Sequence, residues 1–189
     1  QSSSGTYSID PDGPGGESAF NVYCDMTDKG GVGVTVISHN SESRTYVHDG
    51  VPAFPGSYSR PVTYYNANWN QLKKLTDVST NCEQYIQWEC YDTTFIRDGY
   101  AWWMSRDNAK MTYWGGATPG SNKCACGMTS SCANPSNGCN CDSNDQTWRS
   151  DGGLLTDKAS LPVREMRFGD FDSSYEAGYH TLGKLKCYG

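Results

Sequence analysis

An α+β, mainly β fold with few short helices, long loops and several disulfides is predicted by three observations. Apolar and polar residues alternate in several short runs, as at Phe20, Val22 and Cys24 and again at Ile86, Trp88 and Cys90. Helical spacing of apolar residues is confined to one short stretch, Trp69 to Val78. Of the nine cysteines, five lie within the eighteen residues from Cys124 to Cys141.

Taken in order, the chain opens on turn chemistry, Ile9 to Ser18, and then on the strand of Phe20, Val22 and Cys24. A second strand carries Val32, Val34 and Val36 on one side. Gly30, Gly31 and Gly33 introduce it as a hairpin turn and not as a phosphate loop, because no GKS/T and no helix follow. Residues 40–68 are polar, aromatic and proline-punctuated, with no steady period, and read as a long ordered loop. Trp69, Leu72, Leu75 and Val78 then recur at three-residue steps, with Asn66 and Asn68 as candidate caps, so one short amphipathic helix is expected. Beyond it, Ile86, Trp88 and Cys90 share a strand face, which Cys82 and Cys90 could clip together. From Tyr100 to Gly116 two aromatic strand-like pieces flank the turn residues Arg106 to Ala109, a hairpin pattern. The cysteine-rich loop comes next, then the GGLLTD run (152–157), a strand from Leu161 to Phe168, and a last strand from Thr181 to Cys187. Neither a repeat nor an interdomain linker interrupts residues 1–189, which read as a single domain.

The cysteine run admits disulfides or thiolate binding of a soft metal. A metal site calls for Cys-x2-Cys spacing or neighbouring histidines, whereas the pairs here enclose single residues, Ala125 and Asn140, and His39, His48 and His180 are remote in sequence. Disulfides in an oxidising, secreted or extracellular compartment are therefore expected for Cys24, Cys82, Cys90, Cys124, Cys126, Cys132, Cys139, Cys141 and Cys187. At 189 residues the chain can bury a real core, so the cross-links reinforce and do not replace it. Each closed loop of about 15 residues contributes roughly 3 kcal/mol in the chain-entropy model. An odd count leaves one thiol over: either Cys24 is the unpaired one, linking two copies or missing a partner, or it pairs with a distant cysteine such as Cys187. The fifth cysteine of the run must reach outside it, and Cys187 is again a candidate.

Several function classes are excluded or disfavoured. A net charge of −6 with no basic run argues against nucleic acid. No apolar stretch approaches the ~20 residues of a membrane span. A start at Gln1 fits removal of a signal peptide and equally excision from a larger protein. Asn134 is followed by Pro135, so no N-glycosylation sequon stands. No G-x-S-x-G or H-E-x-x-H motif appears, and the adjacent carboxylates Asp170 and Asp172 say little by sequence alone, so no catalysis is expected.

Two groups of residues are candidate sites. Trp102, Trp103, Tyr113 and Trp114 could stack on sugar rings while Asp107 and Asn108 bind hydroxyls, with His180 a further member; the competing reading places most of these rings in the core. Asp142, Asn144 and Gln146 offer oxygens at alternating positions, the arrangement a calcium loop uses, although the glycine and glutamate of an EF-hand are missing.

The motifs resemble a known family. GTYSIDPDG (5–13) and AFNVYCDMT (19–27) are similar to the opening of the fibrinogen C-terminal-like fold. NCEQYIQWEC (81–90), WWMSRDNAKMTYWGG (102–116), CACGMTSSC (124–132), GCNCD (138–142), TWRSDGGLLTDKASLPV (147–163) and LGKLKCYG (182–189) resemble the fibrinogen-like domain of contactin-associated and neurexin IV-type proteins. Gln71 to Leu75 and Leu161-Pro162 are more distantly similar to fibrillar collagen C-propeptides. The resemblance implies a fibrinogen-like fold over 1–189, and an upstream partner for Cys24 that this chain lacks. Asn140-Cys141 and the acidic turn after it are similar to elements of fibrinogen-related lectins, although their order differs. These likenesses imply a secreted, non-catalytic protein that binds glycans or glycoproteins, with calcium as candidate cofactor and a dimer through Cys24 supplying a second site. The rival expectation is a protein-binding adhesion or matrix module on the same scaffold.

Overall fold

The computed structural model describes residues 2–48 and 50–189, so the expectation attached to Gln1 lies outside the described residues. Every strand pairing is antiparallel, and two sheets enclose one apolar core. The larger sheet holds β1 (Gly5–Ile9), β2 (Phe20–Lys29), β3 (Val32–Ile37), β4 (Thr45–Val47), β6 (Asn81–Tyr91), β9 (Arg149–Leu155), β11 (Ala177–Leu182) and β12 (Leu185–Tyr188). The smaller sheet runs β5 (Tyr58–Pro61), β10 (Glu165–Phe168), β7 (Trp102–Met104), β8 (Lys110–Met111). Two short helices, α1 (Trp69–Val78) and α2 (Ala125–Met128), complete this mainly β architecture.

β6 is the spine of the larger sheet. One edge bonds β9 from Gln84 to Cys90; the other bonds β11 from Ile86 to Tyr91 and β12 from Asn81 to Glu83. The last strand expected from Thr181 to Cys187 is thus two strands, broken at Gly183 and Lys184, where the register along β6 slips by one residue. β12 continues to β3, β2 and β1, and β11 continues to β4. Alternation along β6 turns Cys82, Ile86, Trp88 and Cys90 inward, as expected, and leaves Tyr85, Gln87, Glu89 and Tyr91 on the outer face.

The core between the sheets is aromatic. Trp88 stacks on Phe168 with centroids 3.9 Å apart, and Phe95 meets Trp114 edge-on at 4.9 Å. Two of the buried indoles find acceptors, Trp103 Nε1 donating to the Tyr113 carbonyl at 2.8 Å and Trp114 Nε1 to that of Asp151 at 3.1 Å.

The predicted helix forms where expected, closed by a capping box. Asn68 Oδ1 accepts from the Gln71 N–H and Gln71 Oε1 accepts from the Asn68 N–H, each at 2.8 Å. Asn66 is not a cap. Leu72 and Leu75 enter the core, while Val78 is exposed. The reason is geometric: at about 100° per residue, three-residue steps drift around the helix, and Val78 emerges opposite Trp69. Val32 departs similarly: a register shift between Asp25 and Lys29 takes it off the buried row of Val34 and Val36. Residues 40–68, expected as loop, contain the edge strands β4 and β5, and the strand expected from Leu161 begins only at Glu165.

Four disulfides form among the described residues: Cys82–Cys187, Cys90–Cys141, Cys124–Cys139 and Cys126–Cys132. A Cys82–Cys90 clip is ruled out because eight strand residues span about 26 Å. Cys187 faces Cys82 directly across the β6–β12 pair, so it takes neither Cys24 nor the fifth cysteine of the run. That fifth cysteine, Cys141, reaches Cys90. Cys24 is unpaired and buried under the sheet, with Thr35 as its neighbour on β3. Burial pushes its thiol pKa up, against the thiolate that exchange requires. Burial and a raised pKa therefore disfavour the interchain bridge expected at Cys24.

Candidate functional site

The hairpin singled out in the sequence is mostly core. Trp103, Tyr113, Trp114 and His180 are all 2 % exposed or less: Trp103 and His180 lie on the buried rows of β7 and β11, and Tyr113 and Trp114 pack into the core from the loop after β8. Trp102 alone of the four rings is partly exposed, and it is already covered: the Lys110 ammonium lies 3.9 Å above it, and a Cβ on Gly56 would meet its ring at 2.1 Å. Asp107 and Asn108 form the exposed turn, with Asp107 3.7 Å from Arg106 and Asn108 in the left-handed region at φ 62°. His180 contacts the Tyr58 hydroxyl at 2.8 Å through Nε2. Burial drags its pKa down to about 4, so it is neutral. These residues do not assemble into one ligand-facing surface.

Asp142, Asn144 and Gln146 also separate. Asp142 is buried, and its oxygens accept the backbone N–H groups of Phe95 at 2.9 Å and Arg97 at 3.1 Å. Asn144 and Gln146 are exposed, and Asp145 between them holds Arg149 through two bonds of 2.9 and 2.7 Å. The acidic turn thus pins the 94–97 segment in place. Hard-cation oxygens converge elsewhere: one carboxylate oxygen each from Asp170, Asp172 and Glu176 lie within 4.8 Å of one another. Glu176 is pushed up to about 7, chiefly by burial and then by its contact with Asp172. Cys124 and Cys139, near Asp151, are bonded to each other and offer no thiolates.

A surface the sequence reasoning missed lies on the outer face of the larger sheet. Strand register sets Tyr46 of β4, Tyr179 of β11, Glu89 of β6 and Ser150 of β9 in one row across four strands. Around this row the rings are contiguous: His48 stacks on Tyr46 at 4.9 Å, Tyr46 meets Tyr179 at 4.9 Å, Trp148 meets Tyr179 at 5.6 Å and Tyr91 at 5.4 Å. Tyr46 and Trp148 are each about half exposed. Arg44 lies 3.4 Å over the Tyr179 ring and grips Glu89 through Nε at 2.7 Å and Nη2 at 3.1 Å.

A cavity of about 440 Å³ opens between Arg44, Tyr179, Trp148 and Arg149. A second, of about 610 Å³, runs on from Ser150 past Gly152, Gln87 and Tyr85 to Met128 and Thr129 on the cysteine-rich loop. That loop is fastened beside the groove by Asp151, whose Oδ1 and Oδ2 accept the N–H groups of Asn140 at 2.9 Å and Cys141 at 2.8 Å. The outward residues of β6 were legible as alternation; Tyr46 and Tyr179 were not, because only strand pairing brings them beside Glu89.

No family model matches the chain. It is 37% identical over 194 residues to contactin-associated protein 1 of Rattus norvegicus, covering 98% of this chain and 14% of that protein. The Homo sapiens protein of the same name matches at the same identity over 98% of this chain and 13% of its own length. Neurexin-4 of Drosophila melanogaster is 38% identical over 191 residues, 96% of this chain and 15% of that protein. The chain thus spans about one seventh of the length of these homologues.

Proposed function

Because this chain aligns along almost its whole length with one segment of its homologues contactin-associated protein 1 and neurexin-4, we propose that it is an extracellular recognition module that binds a cell-surface protein partner, in adhesion and without chemistry on the ligand. The observation that carries this reading is the contiguous aromatic row of Tyr46, Tyr179 and Trp148 on an open sheet face. Large, stiff aromatics with polar tips supply contact area at low entropic cost, as binding surfaces require. Four disulfides support the extracellular setting. No helix among the described residues is long and apolar enough to cross a membrane. The lectin expectation centred on Trp103 and Trp114 loses its rings to the core.

The name of the first relative supplies a partner to test, a contactin. The chain, immobilised, is expected to retain a contactin ectodomain, with Tyr46→Ala plus Trp148→Ala weakening retention by about tenfold or more. Undiminished binding by this double variant would remove the aromatic row as the contact surface, and no retention of any cell-surface protein would remove the function.

A further inference from the structure

The groove that crosses the outer face has a chemistry more selective than an adhesive patch. Its charges are spent internally. Arg44 is held by Glu89 and Arg149 by Asp145, each through two bonds, and both Asp151 oxygens are occupied by backbone N–H groups. A charged ligand would compete with the partner each cation already holds, a modest cost because both pairs are partly exposed, and it would gain little from them in return. What else lines the groove is uncharged: the exposed rings of Trp148 and Tyr85, the Tyr179 ring beneath Arg44, the Gln87 amide, and the Ser150 and Thr129 hydroxyls. Aliphatic lining is confined to Met128 and Ala125 at one end, so an apolar peptide anchor finds no desolvated pocket. The two cavities, about 440 and 610 Å³, meet at Ser150, and Gly116 and Gly152 line the second, where a ligand can come close to backbone. An elongated ligand with apolar C–H faces, many hydroxyls and no charge matches this lining.

We infer that the groove from Trp148 to Met128 binds a neutral oligosaccharide, such as a glycan arm carried by the partner protein. The inference rests on the outer face being the recognition surface, and it moves sugar binding from the hairpin to residues on β6, β9, β11 and the cysteine-rich loop.

Saturation-transfer NMR on the intact chain tests it, with free mannose-, galactose- and N-acetylhexosamine-terminated oligosaccharides as neutral probes, and sialylated and sulfated ones as acidic probes. At least one neutral probe is expected to receive saturation, and Trp148→Ala and Ser150→Trp, both at exposed positions, are each expected to weaken it by about tenfold or more. Tyr23→Ala, on a distant exposed ring, is expected to leave it unchanged, and an unaltered melting temperature confirms folding of all three variants. Binding of acidic probes alone, or neutral binding indifferent to Trp148→Ala and Ser150→Trp, would overturn the inference. Retention of an enzymatically deglycosylated contactin ectodomain, with no signal from any free glycan, would overturn it while leaving the protein-recognition reading intact. Loss of both signals would overturn the two together.

Discussion

Glu176 shows how one residue couples this fold to pH. It is 7 % exposed, its Oε2 accepts the Ser173 N–H at 2.8 Å, and its neighbours Asp170 and Asp172 are acidic. Its pKa of about 7 lies above an unfolded value near 4.3. Asp151, buried beneath the cysteine-rich loop, is likewise pushed up to about 6. For both groups the folded chain binds a proton that the unfolded chain releases. Their contribution is fully present below the unfolded pKa and is lost as pH rises through the folded one. His180 opposes them: its pKa falls to about 4, so it contributes stability above about pH 6.5 that is lost as pH drops toward 4. From about pH 8 down to about 6.5 the carboxyl groups act and the imidazole does not. The melting temperature, measured with a chelator present, is expected to rise as pH falls across that interval, and below it the imidazole offsets part of the carboxyl contribution without cancelling it. Glu176→Gln keeps the shape, replaces a shared proton by an amide, and is expected to raise the melting temperature at about pH 8 and reduce the slope. A slope identical to that of the unmodified chain would show that Glu176 does not titrate there.

At the scale of elements, α1 depends on groups far away in sequence. Its C-terminal carbonyls carry no basic residue of their own turn. The Lys158 ammonium supplies the charge instead, donating to the carbonyls of Thr76 at 3.2 Å, Asp77 at 3.2 Å and Ser79 at 2.8 Å, and Arg106 binds Asp77 at 3.2 Å beside it. A cation at a helix C-terminus contributes up to about 2 kcal/mol when partly buried. Lys158→Met should therefore cost about 1–2 kcal/mol in chemical denaturation, and a loss below about 0.3 kcal/mol would mean that water replaces the ammonium at no cost. This helix also marks how far sequence reading reaches. Asn68, Gln71, Leu72 and Leu75 are local signals, and so is the alternation of β6; both elements were legible. β4 and β5 were not, because three- and four-residue edge strands hold too few positions for a period to emerge. The break between β11 and β12 was hidden for a different reason, since the slip at Gly183 exists only relative to β6. The candidate site failed at the same step. Trp102 and Trp103 announce an aromatic hairpin but not which face meets the second sheet, and Tyr46 and Tyr179, far apart in sequence, become neighbours only through the β4–β11 register.

For the molecule as a whole, the cross-links divide into two long-range ties, Cys82–Cys187 across 105 residues and Cys90–Cys141 across 51, and a local knot in the cysteine-rich region. Cys90–Cys141 closes 51 residues and fixes the cysteine-rich loop to the spine strand directly behind the groove, whereas Cys126–Cys132 closes 6 and only tightens the loop tip. In the chain-entropy model the first contributes about 4 kcal/mol and the second about 2. Cys90 and Cys141 are also 3 % and 1 % exposed, so their replacement by alanine opens a void as well as a loop. Cys90→Ala with Cys141→Ala is accordingly expected to lower stability by at least about 2 kcal/mol more than Cys126→Ala with Cys132→Ala, by denaturant titration without reductant. The two pairs differ in what they position, too. Cys141 is followed by Asp142, which holds the 94–97 segment, and its own N–H is bound by Asp151, so freeing Cys141 releases both anchors of the groove wall. Freeing Cys132 leaves those bonds in place. Equal destabilisation by the two double variants would mean that the loop is held by Asp142 and Asp151 alone, and that the disulfide to β6 is redundant with them.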